Sequence, residues 1–159
     1  MFQTSMYTGS KKEQYQLVIK QLHALLDGET NLIANLSNAS ALLNQFLDRV
    51  NWVGFYLNEG GELVLGPFQG LPACVRIPLG RGVCGTAAKE QTTLRVADVH
   101  AFPGHIACDA ASQSEIVVPL VKEGRLIGVL DIDSPDKNRF DETDEEMLEA
   151  FAAALVTYL

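Results

Sequence analysis

The spacing of hydrophobic positions changes twice along this chain and divides it into three regions. In the first, Leu17, Val18, Leu22, Leu25 and Leu26 recur at the spacing of one helix face, and Gly28 closes the element. A second stripe of Leu32, Ile33, Leu36, Ala39, Leu42, Leu43, Phe46 and Leu47 predicts another helix. Both stripes read as core or partner surfaces and carry no chemistry. From residue 51 the period shortens to that of strands. Residues 51–57 are rich in aromatic and β-branched side chains, and the turn cluster 58–61 separates them from a strand over 62–65. Residues 74–79, broken by Pro78, and 93–98 are further strand candidates, with a short helical stretch over 86–91 between them. Residues 115–121 and 126–133 flank Lys122-Glu123-Gly124-Arg125, a strong hairpin signal. The last region is helical again, with Met147, Leu148, Phe151, Ala152 and Leu155 on its apolar face and Thr143 and Glu146 at capping-box spacing.

Helices at both ends with strands between them predict an α+β fold, an antiparallel sheet covered on one face. The length of 159 residues fits one domain over 1–159. No repeat or low-complexity segment interrupts it. The irregular stretch 99–114 is longer than most connections, and it contains Cys108, so it reads as a working loop.

Charge and cysteine content narrow the function classes. A net charge of −8 disfavours nucleic acid and anionic membrane surfaces, which want clustered Lys and Arg. No segment has the roughly 20 apolar residues a membrane span needs. The first ten residues lack the layout of a secretory signal, so the expected location is the cytoplasm. Three cysteines, Cys74, Cys84 and Cys108, do not suit a secreted disulfide framework; packing, a metal site or a reactive thiol are the options.

Each candidate motif has two readings. Gly80-Arg81-Gly82-Val83-Cys84-Gly85 fits a dinucleotide-binding pattern, but the helical stretch after it is too short for the crossover of a parallel unit. A tight turn into a helix N-terminus fits better. There, exposed amides and the helix dipole would favour a Cys84 thiolate, unless Cys84 is a small buried residue. Cys108, in His105-Ile106-Ala107-Cys108-Asp109, has less reason to pack than a strand cysteine, although His105 and Asp109 pull its thiol in opposite directions. Zinc ligation by Cys74, Cys84, Cys108, His100 and His105 is disfavoured because no C-x-x-C knuckle is present, and no metal is expected. Asp131 and Asp133 alternate onto the face that carries Val129, so with Glu115 they are either polar strand ends or a subsite for an ammonium group or a proton donor. Trp52 and Tyr56 share a strand face, as core or as an aromatic wall for a small apolar group.

Together these segments resemble the free methionine-(R)-sulfoxide reductases, which are GAF domains. The resemblance rests on Asn51-Trp52-Val53-Gly54-Phe55-Tyr56, Ala73-Cys74-Val75-Arg76-Ile77-Pro78, Gly82-Val83-Cys84-Gly85 and the Cys108 segment. It continues through Ser114-Glu115-Ile116-Val117-Val118-Pro119-Leu120 and Gly128-Val129-Leu130-Asp131-Ile132-Asp133-Ser134. The hairpin is common to many GAF domains, whereas the spacing of the three cysteines is specific. The resemblance implies a six-stranded antiparallel sheet with helices packed on it and a pocket under the loops. It also implies Cys108 as the catalytic thiol, Cys84 and Cys74 as resolving partners, and recycling of a disulfide by an external dithiol such as thioredoxin. Glu115, Asp131 and Asp133 would hold the substrate ammonium, Trp52 and Tyr56 would flank its S-methyl group, and no cofactor is required. The competing reading is a non-catalytic GAF sensor of a small ligand or redox state, which usually carries an output domain. Oligomeric state is open between monomer and homodimer.

Overall fold

The computed structural model describes residues 2–3, 6–106 and 110–159. Cys108, with its two immediate neighbours, lies outside the described residues. Two helices come first, α1 (Lys11–Leu26) and α2 (Leu32–Phe46), followed by strands β1 (Trp52–Glu59), β2 (Glu62–Gln69) and β3 (Arg76–Pro78). Helix α3 (Gly82–Glu90) leads to β4 (Leu94–Val96), β5 (Ser114–Lys122) and β6 (Arg125–Ser134), and α4 (Glu142–Val156) closes the fold. The strands form one six-stranded antiparallel sheet in the order β3-β2-β1-β6-β5-β4. This is the expected α+β architecture.

Local chemistry sets the turns and ends. The β5–β6 hairpin turns at Glu123 (φ 53°) and Gly124 (φ 77°), two residues at positive φ, as a two-residue turn matched to strand twist requires. Ser10 and Glu13 form the capping box of α1, and Asn31 caps α2. The capping box of α4 is not the Thr143/Glu146 pair. Asp141 is the N-cap and Asp144 its reciprocal partner. Acceptor carboxylates two residues earlier win because they satisfy the first amides of a helix that starts at Glu142.

The sheet is apolar on both faces, which corrects the expectation of cover on one side. Helices α1, α2 and α4 pack on Val53, Phe55, Ile116, Val118, Leu120, Leu130 and Ile132. Alternate residues of the same strands, Trp52, Tyr56, Val117 and Val129, face the other way and meet α3 with Val83, Cys84 and Ala87. Nine residues of α3 are too few to display a clear amphipathic period, so the sequence does not announce this second layer.

One buried ionic cluster ties the helical layer together. Asp144 is fully buried; it accepts from Tyr15 Oη at 2.6 Å, Lys11 Nζ at 2.7 Å and Arg139 Nη1 at 3.3 Å. Arg139 in turn donates to the Asp48 carbonyl at 3.0 Å and to its carboxylate at 3.0 Å. Removing one partner of a buried pair strands the others, at a cost of about 3–5 kcal/mol. Asp144→Ala should lose stability on that scale in urea titrations; a loss under about 1 kcal/mol would show that the cluster holds nothing together.

Candidate active site

On the α3 side, the register of the three central strands brings the polar residues into one place. Glu115 on β5 stands opposite Asp133 on β6, and Val117 stands opposite Asp131. On the other flank of β6, Trp52 pairs with Asp133, Gly54 with Asp131 and Tyr56 with Val129. Gly54 must be bare, because a Cβ there would lie 2.3 Å from Phe68 Cβ and 2.8 Å from Trp52 Cη2. Its absence lets the Trp52 ring lie between Phe68, stacked at 5.1 Å, and Tyr56, stacked at 5.8 Å. The two readings of Trp52 and Tyr56 therefore merge: both are buried and both line the cavity. Their polar tips also hold the loop after β2. Trp52 Nε1 donates to the Leu71 carbonyl at 3.1 Å, and Tyr56 Oη donates to the Cys74 carbonyl at 2.9 Å.

Helix α3 supplies the thiol. Gly82 sits at φ +64°, and Gly85 lies so close to β3 that an added Cβ would stand 2.4 Å from the Pro78 carbonyl oxygen. The glycines thus set the first turn of α3 down on the sheet, with Cys84 Sγ 3.8 Å from Glu115 Oε2. The expectation of a dipole-stabilised thiolate fails here. Cys84 is 5% exposed; burial first, then Asp131 and Glu115, push its thiol well above the usual range. Cys84 is a protonated thiol that donates towards a carboxylate. Cys74, on the loop that the aromatic tips hold, is half-buried and disulfide-bonded.

Glu115, Asp131 and Asp133 are packed together, with Glu115 6% and Asp131 5% exposed. Among the described residues, none of the three pairs with a Lys or Arg. Burial, reinforced by the neighbouring carboxylates, pushes Glu115 and Asp133 well up; burial also raises Asp131. Like charges this close cannot all ionise, so the trio retains protons. Asp131 Oδ1 and Asp133 Oδ1 are buried and accept no hydrogen bond among the described residues.

A short relay that the sequence did not reveal orients Asp133. Asn51 Nδ2 donates to Ser112 Oγ at 3.2 Å, and Ser112 Oγ donates to Asp133 Oδ2 at 3.1 Å. With its oxygen occupied as acceptor, the Ser112 hydroxyl turns its proton to Asp133 and leaves Oδ1 for the cavity. The one sequence signal was that Ser112 belongs to the long loop. His105 and Ile106 of that loop also line the cavity, and burial lowers the His105 pKa. Arg81, Gly82, Ala73 and Ile77 complete the wall. The arrangement offers apolar faces, one cluster that wants a cation, and carboxyl protons for a substrate oxygen.

Residues 16–159 match the GAF domain family. The free methionine-R-sulfoxide reductase of Escherichia coli is 56% identical over 146 residues, covering 92% of this chain and 88% of that protein. This chain belongs to the GAF-domain family of free methionine-R-sulfoxide reductases. Among solved structures of the family, fRMsr of Staphylococcus aureus in complex with substrate superposes with a TM-score of 0.88 at 55% identity, covering 98% and 99% of the two chains. The Neisseria meningitidis free methionine-R-sulfoxide reductase in complex with its substrate gives 0.94 at 46% identity, with 99% and 95% covered. Among the described residues, no helix is long and apolar enough to cross a membrane.

Raised carboxyl pKa values have a thermodynamic consequence. A group whose folded-state pKa exceeds its unfolded value stabilises the fold fully below the unfolded value, and that contribution is lost as pH rises through the folded value. Between about pH 4 and pH 8 the ligand-free protein should therefore lose stability at this site. Glu115→Gln cannot ionise, so any stability it lacks at low pH should shrink or reverse as pH rises. Melting curves of both proteins across that range check this; a pH-independent difference would mean that Glu115 is not held protonated.

Proposed function

We propose that this protein reduces free methionine-(R)-sulfoxide to methionine with a cysteine thiol, and that a protein dithiol such as thioredoxin recycles it. The observation that carries this reading is the buried carboxylate trio beside a disulfide-bonded cysteine and an aromatic wall. A free amino acid brings an ammonium group, which a peptide-bound methionine lacks, and Glu115, Asp131 and Asp133 offer it charge-assisted contacts. Trp52 and Tyr56 flank the S-methyl group. The relatives of known structure with bound substrate support the substrate class.

The chemistry follows from what a sulfoxide requires. Its sulfur is a poor electrophile until the oxygen receives a proton, and a carboxyl of the trio that keeps its proton beside the ammonium supplies one without water. The Cys108 thiolate attacks the sulfur, the sulfoxide oxygen takes up the proton, and that hydroxyl passes to Cys108 sulfur as methionine leaves with the electron pair. Cys108 is thereby oxidised to a sulfenic acid. The Cys74 thiol condenses with it, forming a disulfide and releasing water, and an external dithiol reduces the disulfide by exchange.

This assignment revises the resolving pair read from the sequence. Cys74, half-buried on its loop and already in a disulfide, suits the resolving role. Cys84 does not, because its buried thiol is held protonated against Glu115 and Asp131. Its place is that of a hydrogen-bond donor to the trio. The disulfide beside the cavity also favours turnover over a purely sensory GAF domain.

Cys108→Ser should release no methionine in a single turnover. Cys74→Ser should release one equivalent and then stall with thioredoxin, while Cys84→Ser continues to cycle. Methionine from the Cys108→Ser protein, or a stalled Cys84→Ser protein that released its first equivalent, would reverse the assignment.

The ammonium contact is separately testable. Glu115→Gln should lower kcat/KM by roughly ten- to a hundredfold, the equivalent of about 1.5–3 kcal/mol. N-acetylmethionine sulfoxide should be a poor substrate of the wild type, and the variant should lose much of that discrimination. Equal rates on both substrates with the wild-type enzyme would remove the anchoring role.

A further inference from the structure

The cavity is also a metal-donor set. Cys84 Sγ, a Glu115 oxygen and an Asp131 oxygen all lie within 4.8 Å of one another. Two donors on a tetrahedral zinc, one sulfur at about 2.3 Å and one oxygen at about 2.0 Å, stand about 3.5 Å apart. The Cys84–Glu115 separation of 3.8 Å is already close to that. A second observation points to a ligand: Asp131 lines the cavity and is 5% exposed, yet its Oδ1 has no hydrogen-bond partner among the described residues.

We infer that this pocket binds Zn2+ through Cys84, Glu115 and Asp131, and that the ion excludes the free amino acid from the same place. The exclusion rests on the proposed substrate pose; the binding does not. Donor chemistry selects the metal. One thiolate disfavours Mg2+ and Ca2+, two carboxylates disfavour Cu+, and a mixed sulfur and oxygen set suits Zn2+ and its surrogate Co2+. The zinc set considered from the sequence was different, since Cys74 is disulfide-bonded. Carboxylates separated in sequence but paired by strand register could not be read as ligands from spacing alone.

Binding exchanges protons for the ion. Zn2+ displaces the Cys84 thiol proton and the protons shared by Glu115 and Asp131, so affinity rises with pH. Facing this group are Tyr56 from β1, Arg81 just before α3, Cys84 from α3, Glu115 from β5, Asp131 and Asp133 from β6, and His105 from the loop. The outcome is reversible inhibition of an enzyme whose resolving cysteine takes no part in holding the metal.

The test uses the full-length protein in its disulfide form, so the paired cysteines cannot ligate. Titration with Co2+ should give a near-ultraviolet thiolate-to-cobalt band that saturates at one equivalent, collapses on adding Zn2+ and strengthens with pH. Cys84→Ser should lose the band, and Asp131→Asn should weaken Zn2+ binding roughly tenfold or more by calorimetry. Melting curves confirm that each variant is folded, and Glu115→Gln serves if Asp131→Asn is not. Absence of the band in the wild type, or its survival in Cys84→Ser, overturns the site. Addition of free methionine sulfoxide should bleach the band. A band that Cys84→Ser abolishes but methionine sulfoxide leaves unchanged overturns the exclusion, whereas a failure of turnover in metal-free buffer bears on the reductase reading alone.

Discussion

Burying three carboxyl groups side by side without a cation is the constraint on which this molecule turns. Glu115 and Asp133 face each other across the β5–β6 pair, and Asp131 lies two residues along β6 on the same face. Desolvation and mutual repulsion oppose ionisation of all three, so the ligand-free protein stores protons there. Such a cluster costs stability unless something cationic arrives. A ligand that supplies the missing positive charge would gain interaction energy there that a neutral analogue cannot.

The rest of the fold lets the sheet bear this load. Its other face carries the large apolar core under α1, α2 and α4, locked by the buried Asp144–Arg139 cluster. With stability concentrated there, the α3 face is left to serve chemistry. Trp52 and Tyr56 join the two tasks. Their rings wall the cavity, and their polar tips fix the backbone of the loop that presents Cys74. The aromatic pair thus ties the cavity wall to the loop that carries Cys74 through two hydrogen bonds.

Much of this was legible in the sequence, for identifiable reasons. Alternation placed Asp131 and Asp133 on the face of Val129, and a two-residue turn at Glu123-Gly124 closed the hairpin, but the register shift between Leu120 and Val121 that brings Glu115 opposite Asp133 rather than Ile132 was not legible. What remained hidden depends on depth or on contacts far apart in sequence. The chemistry of Cys84 follows from burial against β5 and β6, which overrides the local helix N-terminus that favoured a thiolate. Ser112 gained its role only when Asn51, some sixty residues earlier, reached it. The short α3 concealed the second layer, and the α4 cap moved because two aspartates compete with Thr143 and Glu146 for the same helix start.

The central claim is that the carboxylate trio gives up protons when it receives the ammonium group of a free amino acid. Calorimetric binding of free methionine-(R)-sulfoxide to the Cys108→Ser protein, repeated at neutral pH in buffers of different ionisation enthalpy, counts those protons directly. The account predicts net proton release on binding, abolished or sharply reduced in a Glu115→Gln, Asp133→Asn background and with the N-acetylated ligand. Binding of the free amino acid with no proton release, or with net uptake, would contradict it.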